Sequence, residues 1–215
     1  MARKTKEDAQ KTRQQLIEAA ITQFSTRGVA STTLTDVADA AGVTRGAIYW
    51  HFASKSELFN AIWDQQLPLC DLIDDRLSLH TRHGPLLFLR ERFVVALQYI
   101  ACEPRQKSLL QILYHKCEFH KELTSECEIR KRIGFNYENV RLLLEKCVVQ
   151  GLIDPQINID MTLIVFHGFF SGLIKNWLMN NDSINLYQHA PALVDNILAT
   201  LNITRTSPVK YYVAS

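Results

Sequence analysis

The fold of this 215-residue chain is decided by the stretch LTDVADAAGVTRGAIYWHF, which covers residues 34–52. The pattern predicts two short helices, one at 34–41 and one at 45–52, separated by a turn at Gly42. Ala38 is small enough to let the helices approach closely, and glycine accepts the left-handed conformation that other residues resist. This arrangement predicts a helix-turn-helix, in which the second helix can enter a DNA major groove.

The ends of these helices carry residues that satisfy free backbone groups. Thr33 precedes the first helix, with Asp36 at its third position, and Thr44 precedes the second. Side-chain oxygens at such positions accept hydrogen bonds from the first turn of a helix. Ser54 and Glu57 have the spacing of a capping box, which predicts the start of a longer helix.

The remainder of the chain has helical apolar spacing and no strand pattern. Pro68 is expected to kink the helix that starts after Ser54, and Gly134 is a weak point in a later one. The fold is therefore predicted to be all-α, with a three-helix domain at 1–54, a helical domain at 55–203 and a flexible tail at 204–215. The other helices of a predicted total of about nine are expected at 7–27, 85–101, 104–119, 124–150, 160–180 and 190–201.

Positive charge is concentrated in the first third of the chain. Residues 1–63 hold eight Lys and Arg against six Asp and Glu, whereas the remaining 152 residues hold 16 of each. A basic N-terminal segment followed by a neutral remainder predicts that only the N-terminal segment binds a polyanionic partner. Arg3, Lys4 and Lys6 form a basic arm that either adds phosphate or minor-groove contacts or is only a solvated tail.

The sequence shows no sign of a secreted, membrane-spanning or metal-binding protein. The first residues are polar, unlike a signal peptide, and the most apolar segment, 161–174, is too short to span a bilayer. Five cysteines without a C-x-x-C pair indicate reduced thiols in a cytoplasmic protein, with a redox-sensing thiol as the alternative. His115, Cys117 and His120 lack the four-ligand spacing of a zinc site. Nucleotide-binding and hydrolase motifs are missing too, so we expect no metal, no cofactor and no enzymatic activity.

The predicted second helix presents chemistry suited to DNA. Arg45 stands at its N-terminal end, where a forked guanidinium can bind guanine O6 and N7. Gly46 and Ala47 are small and let the backbone approach the base edges. Donors and ring faces suited to phosphate and sugar are supplied by Thr44, Tyr49, Trp50, His51 and Lys55.

Residues 42–59, GVTRGAIYWHFxSKxxLF, preceded by TTLxDVA, resemble the DNA-binding domain of TetR-family repressors. The MARKTK start, residues 114–119 and Trp177-Leu178 are more specifically similar to AcrR-type repressors of multidrug-efflux operons. The resemblance implies a dimer of all-helical subunits that binds double-stranded operator DNA. It also implies that the C-terminal domain pairs through its last two helices and encloses a pocket for a small hydrophobic effector.

Roles for individual residues follow from the resemblance. Arg45, Gly46 and Ala47 match the base-facing part of the recognition helix, and Thr35 can touch either bases or backbone. The positions that match contacts to the DNA backbone are Thr33, Thr44, Tyr49, Trp50, His51 and Lys55.

An effector pocket requires large or polarisable side chains in the C-terminal domain. Residues 65–68 (QQLP) carry no carboxylate, which departs from the acidic character expected of an AcrR-type regulator and disfavours a cationic inducer. Glu118 or Glu122 can still receive one. The candidate pocket residues, each also compatible with core or dimer interface, are Trp63, Gln66, Leu67, Cys70, Tyr114, Phe119, Phe135, Phe166, Phe170 and Trp177.

The last two helices also carry the candidate dimer interface. Gly168 and Gly172 lie four residues apart on an apolar helix and would let another helix approach closely. The interface is predicted to combine Gly168, Gly172, Leu193, Ile197 and Leu201.

These observations predict a dimeric transcriptional repressor that a small lipophilic effector releases from a palindromic operator, controlling multidrug efflux genes. The alternative is a helix-turn-helix co-regulator without a small-molecule inducer. An enzyme with a helical catalytic domain is disfavoured, since the sequence contains no catalytic constellation.

Overall fold

A computed structural model of the chain describes residues 6–77, 84–180 and 184–202. The predicted arm residues Arg3 and Lys4 and the predicted tail at 204–215 lie outside these ranges. Within them the secondary structure is helical and contains no strand, which confirms the predicted all-α fold. The helices are α1 Lys6–Arg27, α2 Leu34–Ala40, α3 Arg45–His51, α4 Lys55–Asp64, α5 Leu69–Leu77, α6 Pro85–Cys102, α7 Pro104–Gln111, α8 Glu126–Ile133, α9 Tyr137–Val149, α10 Ile159–Met179 and α11 Leu186–Leu198.

Two of the predicted helices are each divided, so the described residues form eleven α-helices where about nine were expected. The helix after Ser54 is interrupted between α4 and α5. The ring of Pro68 disfavours helical backbone at the preceding residue, Leu67. The helix expected at 124–150 is interrupted at Gly134, where a Cβ would collide with the carbonyl oxygen of Arg130. Both interruptions fall at residues that the sequence marks as weak points.

The last helix begins earlier than predicted, at Leu186, and includes a proline. The Asn185 side chain caps its start by accepting a hydrogen bond from Gln188 N at 3.0 Å. Pro191 has no N–H to give to the carbonyl of Tyr187 four residues earlier. The Gln98 side chain donates to that carbonyl instead, at 3.4 Å, which supplies a donor that the proline removes.

Contacts group the chain into two compact units. The first comprises Met1–Asp75 and Tyr99–Asn136, and the second comprises Arg76–Gln98 and Tyr137–Ser215. In the first unit, α1 packs against α2, α3, α4, α7 and the π-helical turn Ile112–Lys116 that continues α7. Helices that follow residue 54 therefore share a unit with the helix-turn-helix. The division into a DNA-binding domain at 1–54 and a ligand-binding and dimerisation domain at 55–203 stays a prediction.

The core of the first unit is built around one face of α1. Leu16, Ile17, Ala20, Ile21 and Phe24 recur at helical spacing and are each at most 2% exposed. Such a stripe faces a core because it removes apolar surface from water on one side of the helix only. The buried apolar residues of the elements that pack against α1 include Val37, Ala38, Ile48, Phe52, Leu58, Phe59 and Ile62.

The second unit has an aromatic core and ion pairs between helices. The Phe93 ring lies 5.6 Å from that of Phe166 and 4.4 Å from that of Phe170, and all three side chains are fully buried. Arg90 on α6 forms a two-pronged hydrogen bond with Asp195 on α11, at 2.5 and 2.9 Å. These contacts hold α6, α10 and α11 together as one unit.

The turn between α2 and α3 generates a test of the fold. Gly42 has φ of 68°, and a Cβ there would meet nothing within 4 Å, so the cost of a side chain is conformational. We expect Gly42→Ala to lower the free energy of unfolding by about 1–2 kcal/mol in urea denaturation followed by circular dichroism. Gly46→Ala, within α3, is the matched control and should be neutral or stabilising by up to about 1 kcal/mol. Equal effects of the two substitutions would contradict the left-handed turn.

Candidate nucleic-acid interface

The first helix of the helix-turn-helix, α2, is capped at its N-terminus by the predicted residues, Thr33 and Asp36. The Thr33 hydroxyl accepts a hydrogen bond from Asp36 N at 3.1 Å, and the Asp36 carboxylate accepts one from Thr33 N at 2.8 Å. The two side chains also bond each other at 2.6 Å. This reciprocal box satisfies backbone donors that the first turn of α2 leaves unpaired.

Charge strengthens this cap. Hydrogen bonds from the Thr33 hydroxyl and the Thr33 backbone N–H lower the pKa of Asp36, and the guanidinium of Arg27, 3.6 Å away, acts in the same direction. Because the folded-state pKa is lowered, the stabilisation is complete above the ordinary range of a carboxyl group and is lost as the pH falls through the lowered value. The cap is therefore fully formed at neutral pH.

The turn places α3 against α2 through backbone bonds. Gly42 N donates to Asp39 O at 3.1 Å, and Val43 N donates to Ala38 O at 3.0 Å. The Thr44 hydroxyl then accepts from Ala47 N at 3.2 Å and caps α3, as predicted. Inside the crossing, Ala38 and Ile48 are fully buried, so α3 is held by a single buried side chain of its own.

The outer face of α3 carries the residues that were predicted to contact DNA. Arg45 and Gly46 are exposed, Ala47 is half-buried, and Tyr49 and Trp50 are 47% and 73% exposed. Leaving large aromatic side chains in water is unfavourable, and adjacent exposed apolar side chains are typical of surfaces that bind a partner. The structure thus brings the predicted base-facing and ring-bearing residues together on one exposed helix.

Ring contacts order this face. The Arg45 guanidinium lies 5.7 Å from the centroid of the Tyr49 ring, and Trp50 meets His51 edge-on with ring centroids 4.6 Å apart. On the inner side, Arg13 of α1 stacks over the buried Phe52 ring at 4.9 Å. Thr33, Thr35 and Thr44 lie at or near the helix starts, and two of them are caps as well as candidate DNA contacts.

Lys55 has partners that the sequence does not reveal. Its ammonium group donates to the carbonyl oxygens of Val29, Ala30 and Thr32 at 2.7, 3.1 and 3.0 Å. These acceptors lie 23 to 26 residues earlier in the chain, beyond the reach of local pattern analysis. Next to it, Ser54 caps α4 as predicted, whereas Glu57 accepts from Ala53 N and not from the cap residue itself.

Seven of the ten predicted effector residues belong to the first unit. Trp63 is fully buried, and its indole nitrogen has no hydrogen-bond partner among the residues that the structure describes. Gln66 accepts from Arg105 at 2.6 Å, and the Tyr114 hydroxyl accepts from Arg130 at 3.2 Å. The remaining four are the exposed Leu67, the buried Cys70, the Phe119 ring 6.3 Å from that of Phe59, and the half-buried Phe135.

The other three belong to the second unit, where Phe166, Phe170 and Trp177 are buried. This unit also has an open groove of about 540 Å³, which the sequence did not indicate. Its walls are apolar, and the Arg90–Asp195 ion pair lies in them. The apolar side chains that line it are Leu86, Leu87, Leu152, Leu198 and Ala199.

The predicted dimer residues divide into exposed and buried groups. Gly168 is exposed and Gly172 half-buried on α10, and Leu193 is half-buried on α11. Ile197 and Leu201 are 6% and 2% exposed, so their side chains already pack within the second unit. Three further apolar residues of α10 are at least half exposed, although no sequence pattern distinguishes them: Met161, Ile164 and Val165.

Other classes of site receive no support from the described residues. Over these ranges no three His, Cys, Asp or Glu side chains come together as metal ligands, and no helix is long and apolar enough to cross a membrane. Burial, followed by the nearby Glu126 and Glu118, raises the pKa of Cys117 to about 11, and burial raises that of Cys147. Both shifts disfavour the reactive thiolate, which argues against a redox role for these two thiols.

Two capped helices that cross at Ala38, the second with an exposed basic and aromatic face, define a helix-turn-helix DNA-binding protein. Residues 16–62 match the model described as bacterial regulatory proteins, tetR family, and residues 84–203 match the C-terminal region of MAATS-type transcriptional repressors. The chain belongs to the TetR family of bacterial transcriptional regulators. This confirms the family predicted from residues 42–59.

Proteins similar to this chain include an operon repressor and a repressor of a multidrug efflux pump. The chain is 52% identical over 198 residues to the probable acrEF/envCD operon repressor of Escherichia coli K12, covering 92% of this chain and 90% of that protein. It is 36% identical over 191 residues to the regulator AcrR of Shigella flexneri, covering 88% and 89% of the two chains. Among solved structures, it is similar to NalD, the secondary repressor of the MexAB-OprM multidrug efflux pump of Pseudomonas aeruginosa. That match has a TM-score of 0.74 and 30% identity, and it covers 93% of this chain and 100% of NalD.

Proposed function

We propose that this protein is a homodimeric cytoplasmic repressor that binds a palindromic operator and leaves it when a small lipophilic effector binds. The observation that carries the proposal is the exposed face of α3, with Arg45 at its N-terminal end. Two such helices, roughly 34–36 Å apart in a dimer, would enter successive major grooves of a palindrome. Repression of efflux genes is proposed because NalD, to which this chain is similar, is described as a repressor of a multidrug efflux pump.

The DNA contacts divide into those that specify and those that position. Arg45 reads a guanine, while Gly46 and Ala47 permit close approach to the bases. Tyr49, Trp50 and His51 contact sugar and phosphate, which orients α3 without reading sequence. Thr33, Thr35 and Thr44 sit at helix starts and add contacts to the DNA backbone.

Dimerisation is proposed through the exposed apolar face of α10. Ile164 and Val165 follow Met161 by three and four residues, and Gly168 continues the same face one turn further on. A Cβ at Gly168 would meet nothing within 4 Å among the described residues, which leaves room for a helix of a second copy. Burial of this face between two copies would remove its apolar surface from water. Ile197 and Leu201 then support α11 from within each subunit.

An effector is proposed because a buried donor in the first unit is unsatisfied. The indole N–H of Trp63 is buried without an acceptor among the described residues, and leaving such a group unpaired is costly. A lipophilic molecule with one hydrogen-bond acceptor would satisfy it. Release from DNA requires the effector to favour the DNA-incompetent state, typically by about 1–3 kcal/mol. Without an effector, the same helix-turn-helix would serve the alternative role of a co-regulator.

The reading of DNA is tested by Arg45→Ala. We expect operator affinity to fall about 5- to 150-fold, because one bidentate base contact contributes about 1–3 kcal/mol of discrimination. The operator is obtained by selecting genomic fragments on the wild-type protein, and affinity is measured by gel shift. Lys131→Ala on α8 removes the same charge outside the helix-turn-helix and should bind normally. Unchanged affinity of folded Arg45→Ala would remove Arg45 from the base-reading group.

The dimer is tested by Ile164→Glu, which places a charge on the α10 face. Burying an unpaired charge should weaken association by at least about 3 kcal/mol, giving monomers at micromolar concentration in sedimentation velocity. Val149→Glu is the matched control, because Val149 is apolar and 87% exposed on α9. If Ile164→Glu sediments as the wild-type dimer does, the α10 face is not the interface.

The effector is tested by thermal shift with uncharged and cationic lipophilic dyes. We expect saturable stabilisation of the wild-type protein by uncharged dyes, because a ligand that binds only the folded state adds to stability. Trp63→Phe keeps an aromatic side chain, although a smaller one, and lacks the N–H donor, so it should require a higher dye concentration for the same shift. If no compound shifts the midpoint and operator binding is intact, the co-regulator alternative is favoured.

A further inference from the structure

We propose that Lys55 is a positioning residue, whose ammonium group fixes the loop between α1 and α2 instead of contacting a DNA phosphate. This inference rests on the proposed DNA-binding function and departs from the role that family resemblance implies for the position. It follows from three hydrogen bonds that engage the side chain inside the protein.

The geometry uses the full donor capacity of the side chain. A lysine ammonium has three N–H donors and no acceptor. Three carbonyl oxygens, those of Val29, Ala30 and Thr32, lie 2.7 to 3.1 Å from Nζ. A phosphate could therefore be bound only by giving up a bond to one of these carbonyls. That exchange leaves a carbonyl of the loop without its donor, which costs free energy.

The loop that Lys55 holds is also attached on other sides. Val29 N donates to Lys116 O at 2.9 Å, and the buried Thr32 hydroxyl donates to Gly28 O at 2.8 Å. Lys55, the first residue of α4, donates to the carbonyl oxygens of Val29, Ala30 and Thr32 in this loop. The loop is thus tied to both α4 and the π-helical turn within the first unit.

The position of the loop determines the position of the reading helix. Thr32 O is bonded to Lys55, and the next residue, Thr33, is the cap of α2. The backbone bond from Val43 N to Ala38 O then carries the orientation of α2 over to α3. A lysine suits this role because a compact ammonium can meet three converging oxygens, whereas the planar fork of arginine favours two parallel bonds.

The salt dependence of operator binding separates the two roles. Lys55→Met keeps the length of the side chain but donates no hydrogen bond. If Lys55 positions the loop, operator affinity should fall about tenfold, while the slope of log affinity against log salt stays at the wild-type value. If Lys55 binds a phosphate, the slope should become shallower by about 0.9 for each subunit. Lys131→Met is the matched control for loss of a lysine charge, and Lys55→Arg should restore the charge without restoring affinity.

A second measurement on the wild-type protein does not depend on the folding of any variant. The Lys55 ammonium should give a slowly exchanging ¹⁵N-detected signal in the free protein, because its protons are held by carbonyls. Adding the selected operator duplex should leave this signal unchanged. A signal that is missing, or that shifts with the duplex together with a shallower salt slope in Lys55→Met, would overturn the proposal. If the wild-type protein binds no duplex, the proposed function fails, yet the signal of the free protein still tests the three carbonyl bonds.

Discussion

The left-handed turn at Gly42 is the constraint on which the DNA-reading surface depends. α3 has seven residues and buries only Ile48, so its own length and packing contribute little to holding it in place. The turn, the Thr44 cap and the bond from Val43 N to Ala38 O supply what the helix lacks. Because these bonds use backbone groups and the Thr44 hydroxyl, the side chains of α3 itself remain available to a partner.

Because the turn and caps hold α3 in place, its exposed face can carry large aromatic side chains such as Trp50. Trp50 is 73% exposed, which would be a liability on a helix that relied on its own hydrophobic surface for stability. Here the capping box at Thr33 and Asp36 and the core of α1 carry the stability of the module. The recognition helix can therefore keep a surface that serves binding.

Much of this module could be predicted from the sequence because its determinants are local. Thr33, Thr44 and Ser54 cap helices as expected, and each bonds a residue three positions later. The sequence predicts a kink at Pro68 and a weak point at Gly134, but in the structure the helix ends at both places. Whether a helix bends or ends depends on nearby backbone geometry, as with the carbonyl oxygen of Arg130 beside Gly134.

The sequence by itself determined the helical class, the helix-turn-helix and the exposed chemistry of α3, because capping, turn conformation and apolar spacing act over a few residues. Only the tertiary structure decided where Lys55 places its charge, since its three acceptors lie more than twenty residues away. It also decided that Ile197 and Leu201 are core while Ile164 and Val165 are exposed. On an apolar helix every face looks alike in sequence, and packing alone selects the face that is left uncovered.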